Sequence, residues 1–347
     1  MLIGICGHFS DSEAAMNGQT VKTKILTEAL REAYGEESIF CCDTHNWKKR
    51  MFSFWFGCLK LLMCCKNIVL LPAQSAVLTL FPMFVILNRI FRRKIHYYVV
   101  GGWLVESIEE HPKLIKYLRA IDGIYVELRS METQLQEMGF TNVFYVNKFR
   151  KLNVISEDEI PTAAKLPLKF CVFSRIMKEK GVEEAIASVS EINKKYGRVV
   201  CELDIYGQIH PNYKERFEEI CSNLPQGIRY NGFIDFLGSG DVLKKFDALL
   251  FPTYYIGEGY ANTVVDAYAS ALPVIATDWK YNKEVICDGS DGVIYDYRCP
   301  EQLTEIIDRF VAEPEDLLRM RKNARQRAFE YEPTTAITSL LKNITNL

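Results

Sequence analysis

Two basic residues near the middle of the chain, Arg175 and Lys180, have the charge and the setting to hold a diphosphate. They lie in FSRIMKEKG, where Arg175 ends a predicted strand and Lys180 precedes a predicted helix that opens at Gly181. A helix N-terminus offers unpaired backbone N–H groups and the positive end of the helix dipole, and cationic side chains strengthen such a site. The pattern predicts a pyrophosphate site, and the alternative is two solvated surface charges.

Two acidic residues, Glu258 and Asp266, give the second chemical signal. Their segment, FPTYYIGEGYANTVVDAYASALPVIATDW, predicts a strand ending near Pro252, a loop with Glu258, a helix with Asp266 and a buried strand at 273–277. About two helical turns separate the acids, so both carboxylates can face one site, one towards a sugar and the other towards a ribose. Either acid alone is equally consistent with a helix-start or surface carboxylate.

Glycines surround Glu258 on both sides, at Gly257 and Gly259. Glycine tolerates backbone angles that other residues avoid, so the chain here can take unusual angles and approach a ligand closely. The amides from Gly259 to Asn262 are then expected to face the phosphates. The ligand-binding residues predicted in this segment are Gly259, Tyr260, Ala261, Asn262 and Thr263.

The elements that position these residues alternate between β-type and helical segments. Apolar runs in the first half are LIGICGHF, SIFCC, NIVLL, KIHYYVV, GIYVEL and NVFYV. The second half continues with KFCVFSRI, VVCELDIYG, GIRYNGF, ALLFPTY, PVIATD and VIYDY, and the chain is predicted to end in one helix at 331–347. Strands that are apolar on both faces and alternate with helices indicate α/β sheets of the parallel, doubly wound type. Their ligands bind at the carboxyl ends of the strands.

The chain length of 347 residues predicts two domains. The acidic, proline-containing segment SEDEIPTAAKLP has no strong period and is interpreted as a linker. We therefore expect an N-terminal, acceptor-side domain at 1–160, completed by 331–347, and a C-terminal donor-binding domain at 161–330, with a ligand cleft between them.

At this point the sequence resembles a known group, the retaining glycosyltransferases of family 4. The resemblance implies the GT-B fold, two Rossmann-like domains facing a cleft. It also implies that Arg175 and Lys180 hold the donor diphosphate and that Glu258, the first acid of the E-x7-E motif, contacts the transferred sugar. The second acid contacts the ribose, and here that position holds Asp266, which is one methylene shorter than glutamate.

Further segments resemble the same family. LDIYGQ, with Gly207, and RYNGFID resemble strands that line the base pocket. NGQTVKT resembles the glycine loop after the first strand, which implies donor contacts at Gly18 and Gln19. This loop is not a P-loop, because the G-x-x-x-x-G-K-[ST] frame is absent.

Three residues of the first half are candidates for the acceptor side, because each follows a predicted strand. His8 follows the first strand, and Gly101 and Gly102 follow KIHYYVV. A structural histidine is the alternative for His8, and a simple tight turn is the alternative for the two glycines.

The resemblance implies a hexosyltransferase that moves a sugar from a nucleoside diphosphate, with UDP favoured over GDP, to a hydroxyl of a glycan or a lipid-linked acceptor. It further implies retention, no metal and no cofactor, and a bacterial polysaccharide or cell-envelope pathway; no D-x-D triplet is present. A catalytically weak subunit that binds the sugar nucleotide for a partner enzyme is the alternative. A nicotinamide-dependent oxidoreductase is disfavoured because no G-x-G-x-x-G follows the first strand.

The segment 47–62, WKKRMFSFWFGCLKLL, combines basic and aromatic residues. Such a helix can rest on an anionic membrane beside a lipid-linked acceptor, or it can be a domain helix buried on one face. The more apolar region 68–91 is interrupted by polar residues and prolines and predicts a strand and a helix rather than a membrane span. No secretory signal is apparent, so we expect a cytoplasmic protein, at the inner membrane face if 47–62 makes that contact.

The charge and the cysteine content argue against a nucleic-acid-binding protein and against a metal site. With 42 basic and 44 acidic residues the net charge is -2, which gives no general attraction for nucleic acid. The 11 cysteines show no metal-ligand spacing, and they are interpreted as reduced thiols of the core rather than as a metal site.

Overall fold

The structure is a computed structural model, and it describes residues 2–9, 18–45, 47, 50–72, 74–234 and 239–345. The chain divides into two compact units. Unit 1 comprises Met1–Lys151 and Glu332–Leu347, and unit 2 comprises Leu152–Tyr331. The segment interpreted as a linker, residues 156–167, therefore belongs entirely to unit 2. Just before it, the backbone N–H of Ile155 donates to the carbonyl of Ala269 over 2.9 Å.

Unit 1 is built on a parallel sheet whose strands are almost entirely buried. Its strands are β1 (Ile3–Gly7), β2 (Ile39–Asp43), β3 (Asn67–Leu70), β4 (Lys94–Tyr98), β5 (Gly123–Val126) and β6 (Val143–Tyr145). They lie in the order β2-β1-β3-β4-β5-β6, and every pair is parallel. The apolar runs of the first half thus form the predicted strands, because a sheet covered on both faces requires side chains without charge on both.

Helices cover this sheet. They are α1 (Gly18–Tyr34), α2 (Met51–Cys64), α3 (Gln74–Phe91), α4 (Leu104–Glu110), α5 (Ile115–Leu118), α6 (Arg129–Glu137), α14 (Pro333–Ala336) and α15 (Thr338–Thr345). The last two pack with α1 and β5 through residues such as Ile337 and Leu340. The prediction of one final helix is wrong, since Ile337 ends a short first helix. Pro82 lies inside α3, where proline removes one backbone hydrogen bond without ending the helix.

Unit 2 repeats the architecture. Its strands are β7 (Leu168–Phe173), β8 (Cys201–Tyr206), β9 (Ile228–Tyr230), β10 (Ala248–Phe251), β11 (Val274–Thr277) and β12 (Gly292–Tyr295), in the order β12-β11-β10-β7-β8-β9. Its helices are α7 (Val182–Tyr196), α8 (Lys214–Ser222), α9 (Ser239–Leu243), α10 (Asn262–Ala269), α11 (Asn282–Val285), α12 (Glu301–Ala312) and α13 (Glu315–Ala328). Two apolar clusters, one on each face, sandwich the sheet.

Each sheet has one switch point, where successive strands stop being added on one side of the first strand and start being added on the other side. In unit 1 this point lies between β1 and β3, and in unit 2 it lies between β7 and β10. The loops that leave two neighbouring strands there turn to opposite faces and open a crevice at the carboxyl ends, where ligands of doubly wound sheets bind. The topology thus fixes where each unit can hold a ligand.

The cysteines are all free thiols, but not all of them lie in the core. Cys64 and Cys287 are exposed, so the prediction of core thiols is wrong for these two. Among the described residues, none of the helices combines the length and the apolarity that crossing a bilayer requires. The interpretation of 68–91 as a strand and a helix is confirmed by β3 and α3.

Candidate active site

The centre of the candidate site is an ion pair between two residues that the sequence singled out. Lys180 Nζ donates a hydrogen bond to Glu258 Oε2. The two side chains are only 8% and 10% exposed, so the pair is largely withdrawn from water. Lys180 follows β7 and Glu258 follows β10, so the pair lies at the switch point of unit 2.

Thr253 holds the carboxylate of this pair in place. Its hydroxyl donates to Glu258 Oε2 over 2.7 Å, and the residue itself is completely buried. The backbone N–H of Tyr254 donates to the carbonyl of Glu179 over 2.8 Å, which ties the loop after β10 to the turn before α7. A carboxylate that accepts bonds from both a lysine and a threonine is fixed in orientation, because each donor sets a direction.

Arg175 reaches the same place through an aromatic ring. Its guanidinium carbon lies 5.5 Å from the centroid of Tyr255, and Lys180 Nζ lies 5.2 Å from that centroid. Cations at such distances are attracted to the ring. The structure therefore gathers Arg175, Lys180 and Glu258 around one tyrosine, with Arg175 exposed and the ion pair buried.

Two glycines permit the close packing of the loops at this edge. Gly181 has a φ of 70°, and a Cβ there would lie 2.1 Å from the carbonyl oxygen of Pro252. Gly207, with a φ of 148°, would place a Cβ 1.7 Å from the carbonyl oxygen of Ser174. Real Cβ contacts are never this short, so both positions require glycine. The packing against Ser174 therefore explains the glycine at position 207. The sequence had suggested a different role for Gly207, contact with the nucleotide base.

The glycines beside Glu258 do not use the unusual backbone angles that glycine permits. Neither Gly257 nor Gly259 has a positive φ. A Cβ at Gly257 would meet the ring of Tyr255 at 2.7 Å, whereas a Cβ at Gly259 would have nothing within 4 Å. Gly257 is therefore explained by packing. Gly259 leaves open space beside Glu258.

Helix α10 begins directly after this loop, and its first turn holds Asn262 and Thr263. Its N-cap is Ala261, and no side chain caps the helix. The first N–H groups of a helix have no partner within the helix, so an uncapped start directs several donors outward. These are the amides that the sequence assigned to phosphate binding. The first turn contains no acid that would compete for them.

Two further predicted residues lie on this side of unit 2. Tyr260 is half-buried, and its hydroxyl donates to Tyr331 Oη over 2.8 Å. Asp266 lies in the second turn of α10 and is half-buried, and its carbonyl accepts from the Ser270 hydroxyl over 3.0 Å. Asp266 therefore lies on the helix that directly follows the loop carrying Glu258.

Comparison with known proteins shows similarity to glycosyltransferases. Residues 156–327, most of unit 2, match the family model described as glycosyl transferases group 1. Over 167 residues, 47% of this chain and 41% of the relative, the chain is 25% identical to an uncharacterized glycosyltransferase of Methanocaldococcus jannaschii. The chain spans about two fifths of the length of the curated relatives that it matches.

Two solved structures match over 99% or more of the chain. The Anabaena protein HepE, crystallised with UDP, has a TM-score of 0.72 at 13% identity, with 100% of both chains covered. The sucrose-phosphate synthase of Thermosynechococcus elongatus also has a TM-score of 0.72, at 16% identity, with 99% of this chain and 98% of that chain covered.

The chain has the GT-B fold.

Unit 1 of this GT-B protein carries the remaining predicted residues. His8 follows β1, at the switch point, where its Nδ1 lies 2.6 Å from Thr20 Oγ1 and its Nε2 lies 3.0 Å from His45 Nδ1. Burial lowers the pKa of His8, and the neighbouring His45 lowers it further. Gln19, in the first turn of α1, donates through Nε2 to the carbonyl of Leu71 over 2.9 Å. Gly18 begins the same helix.

The other unit 1 candidates are two glycines after β4. Gly101 has a φ of 97° and a Cβ there would lie 3.0 Å from the ring of Trp103, while Gly102 is half-buried beside it. The positive φ supports the tight turn that the sequence offered as the alternative. Asn17, Lys48, Lys49 and Asp235, which belong to predicted segments, lie outside the described residues.

Sequence reasoning missed Thr253 and Tyr255. Both lie in the loop after β10, Thr253 bonded to Glu258 and Tyr255 beside both cations. A signal was present, because Thr253 is the first polar residue after the buried run ALLFP and so lies at a strand's carboxyl end. The role of Tyr255 had no comparable signal, since it depends on which strands are neighbours.

Proposed function

We propose that this protein is a retaining glycosyltransferase that transfers a hexose from a nucleoside diphosphate sugar to an acceptor hydroxyl. The observation that carries the proposal is the buried Lys180–Glu258 pair at the switch point of unit 2, with Arg175 beside it. A lysine and a carboxylate kept together at a ligand-binding edge provide one group for phosphate and one for sugar hydroxyls. The family match over residues 156–327 supports this assignment.

Positive potential for the leaving diphosphate comes from three sources. Lys180 has three N–H donors, and the bond to Glu258 uses one of them. Arg175 is exposed and can turn its planar donors to a phosphate oxygen. The uncapped start of α10 adds backbone N–H groups. Fixed donors of this kind each contribute about 3 to 4 kcal/mol to the stability of a developing anion.

The two carboxylates, Glu258 and Asp266, bind the parts of the donor other than the diphosphate. Thr253 and Lys180 both bond to Oε2 of Glu258, so the second oxygen of that carboxylate is the one that accepts from sugar hydroxyls. Asp266, in the second turn of α10, accepts hydrogen bonds from the ribose hydroxyls. In the reaction the bond from the anomeric carbon to the diphosphate breaks. The acceptor oxygen then forms a bond to the anomeric carbon, on the face that the diphosphate leaves. The proton of the acceptor hydroxyl passes to a phosphate oxygen of the donor.

UDP is the favoured nucleotide, because HepE was crystallised with UDP and with UDP-glucose. A thermal-shift series with UDP-, GDP- and ADP-sugars tests this. A ligand present at 100 times its dissociation constant adds about 2.7 kcal/mol to the free energy of unfolding. We expect UDP-sugars to raise the melting temperature most, and an equal response to all three nucleotides would contradict the assignment. Metal independence is tested by the same series and by turnover in the presence of a chelator.

Activity is tested with the isolated chain and a panel of UDP-hexoses, with glycan and lipid-linked acceptors. Arg175→Ala and Glu258→Gln are expected to lower turnover by a factor of about 100 to 1,000. Lys178→Ala removes an exposed cation from the same turn and serves as the control. Full turnover by both site variants would refute the proposed site. Donor binding without product from any acceptor would instead favour the noncatalytic subunit.

We further propose that unit 1 rests on the anionic inner face of a membrane and receives a lipid-linked acceptor of polysaccharide or cell-envelope synthesis. Residues 44–105 contain nine lysines and arginines and no acidic residue. Helices α2 and α3, which pack together, carry exposed apolar side chains at Met51, Phe52, Phe56, Leu59, Met63, Leu78, Ile86 and Ile90. Exposed apolar groups with surrounding cations are typical of a helix that lies in a lipid headgroup region.

Sedimentation with vesicles tests this surface. We expect the wild-type chain to bind vesicles that contain phosphatidylglycerol and to release at high salt, because the cationic attraction is screened. Phe52→Ser with Phe56→Ser should reduce binding, since these side chains are 92% and 70% exposed. Phe233→Ser, in unit 2 and 66% exposed, is the matched control. Equal binding by all variants would remove the proposed surface.

A further inference from the structure

Three buried cysteines of unit 1 come together away from the Lys180–Glu258 pair. Cys6 lies on β1, Cys42 on β2 and Cys58 on α2. Their Sγ atoms all lie within 4.8 Å of one another. The residues are 1%, 6% and 0% exposed. Neither the family match, which begins at residue 156, nor the proposed sugar transfer uses them.

The fold builds this cluster from two separate relationships. Cys6 and Cys42 are direct neighbours in the register of the parallel pair β1 and β2, so their side chains share one face of the sheet. Helix α2 then brings Cys58 onto that face. Gly57 allows the close approach, because a Cβ there would lie 2.8 Å from Cys42 Sγ.

The three thiols interact with one another. Their Sγ atoms are close enough to one another for all three to bind a single ion. A thiolate is the form of cysteine that binds metal.

From this geometry we propose that Cys6, Cys42 and Cys58 form a binding site for one soft, thiophilic cation of the Cu(I) class. Soft thiolate ligands select such ions, whereas Mg²⁺ and Ca²⁺ take oxygen ligands. Structural Zn²⁺ sites use four ligands, and the group found among the described residues offers three. Three metal–sulfur bonds form, the three thiol protons pass to solvent, and the oxidation state of the metal does not change.

A cavity borders one member of the cluster, Cys42. A cavity of about 170 Å³ is lined by Cys42, Gly57, Asp43 and His45 among others. A cation can therefore reach Cys42 from this cavity without passing through the core. Asp43, His45 and Arg50 lie in the same lining, and the carboxylate of Asp43 is the group there that attracts a cation.

The test uses the full chain, reduced and anaerobic, in a Cys64→Ser/Cys287→Ser background that removes both exposed thiols. Cu(I) is titrated in competition with a chromophoric Cu(I) chelator. We expect one tightly bound equivalent. Cys6→Ser, Cys42→Ser and Cys58→Ser should each weaken binding by about 100-fold, because each removes one of three ligands. Cys171→Ser, a buried thiol of unit 2, is the matched control and should bind normally.

A second measurement needs no ligand variant, so it remains valid if the cysteine variants fail to fold. X-ray absorption at the copper edge of the loaded background chain should show a first shell of three sulfur atoms. Gly57→Ala keeps every thiol but pushes α2 from Cys42, and it should also weaken binding. The proposal is overturned if the triple Cys→Ala variant binds Cu(I) as tightly as the background chain, or if the first shell is nitrogen and oxygen. Either result would identify the cluster as core packing only.

Discussion

Lys180 donates to Glu258 although 78 positions separate the two residues in the chain. Both side chains are about nine-tenths buried. Removing charges from water is costly, and their attraction offsets that cost only while both partners are present. The pair is therefore sensitive to the loss of either member, and it holds two proposed donor-binding groups in fixed positions.

Neutralising one member of this pair should destabilise the fold as well as lower the rate of transfer. Lys180→Met or Glu258→Gln leaves one buried charge without its counterion, which costs about 3 to 5 kcal/mol. The double variant Lys180→Met/Glu258→Gln should be less destabilised than the sum of the two, because neither charge remains. Urea denaturation of the four proteins measures this coupling. Additive losses would show that the two side chains do not interact in solution.

Gly181 should tolerate no side chain. Gly181→Ala places a Cβ 2.1 Å from the Pro252 carbonyl oxygen in addition to the strain of a φ of 70°. Gly197, at the other end of α7, has a similar φ of 63° but open space around its Cβ position. Gly197→Ala should therefore cost only the backbone strain of about 1 to 2 kcal/mol. Equal losses of unfolding free energy in the two variants would contradict the close packing at Pro252.

Gly259→Ala should weaken donor binding without destabilising the fold. Its Cβ has nothing within 4 Å and its φ is not positive, so the free energy of unfolding should change by less than about 0.5 kcal/mol. The donor phosphates are proposed to approach this backbone, so the affinity for UDP-sugar should fall by about tenfold, measured by calorimetry. Gly240→Ala, where the space is also open, should leave affinity unchanged. Unaltered affinity in Gly259→Ala would place the phosphates elsewhere.

His96 should make stability depend on pH. Burial, with a smaller effect of Lys94, lowers the pKa of His96 to about 4. The imidazole lies 3.1 Å from both Tyr125 Oη and Asn67 Oδ1. Between the unfolded value of about 6.5 and the folded value, the unfolded chain binds a proton that the folded chain does not. This residue's contribution to stability is therefore lost as pH falls, by about 1.4 kcal/mol per pH unit.

Urea denaturation near neutral pH and near pH 5 measures this effect. The difference in unfolding free energy between wild type and His96→Gln should shrink at the lower pH, because glutamine has no proton to gain. His111→Gln replaces an exposed histidine and should follow the wild type at both values. A constant difference between wild type and His96→Gln would mean that His96 is not buried in the neutral form.

Sequence alone determined the succession of strands and helices and the segments that carry charge at strand ends. Buried strands such as Ile3–Gly7 and Ala248–Phe251 are apolar at successive positions, and this is a property of neighbouring residues. It also determined that Arg175 and Glu258 follow such strands. It did not determine the backbone at Gly259, because glycine permits both ordinary and unusual angles and only the surrounding loop selects between them.

Tertiary structure decided which residues meet. Lys180 pairs with Glu258, and Thr253 supports that pair, because β10 lies next to β7. The cluster of Cys6, Cys42 and Cys58 likewise arises from the register of β1 with β2 and from the position of α2. The physical reason is that local hydrophobic pattern fixes the type of each element, whereas contacts over tens of residues depend on strand order and helix packing. Those are settled by the burial of the whole core at once.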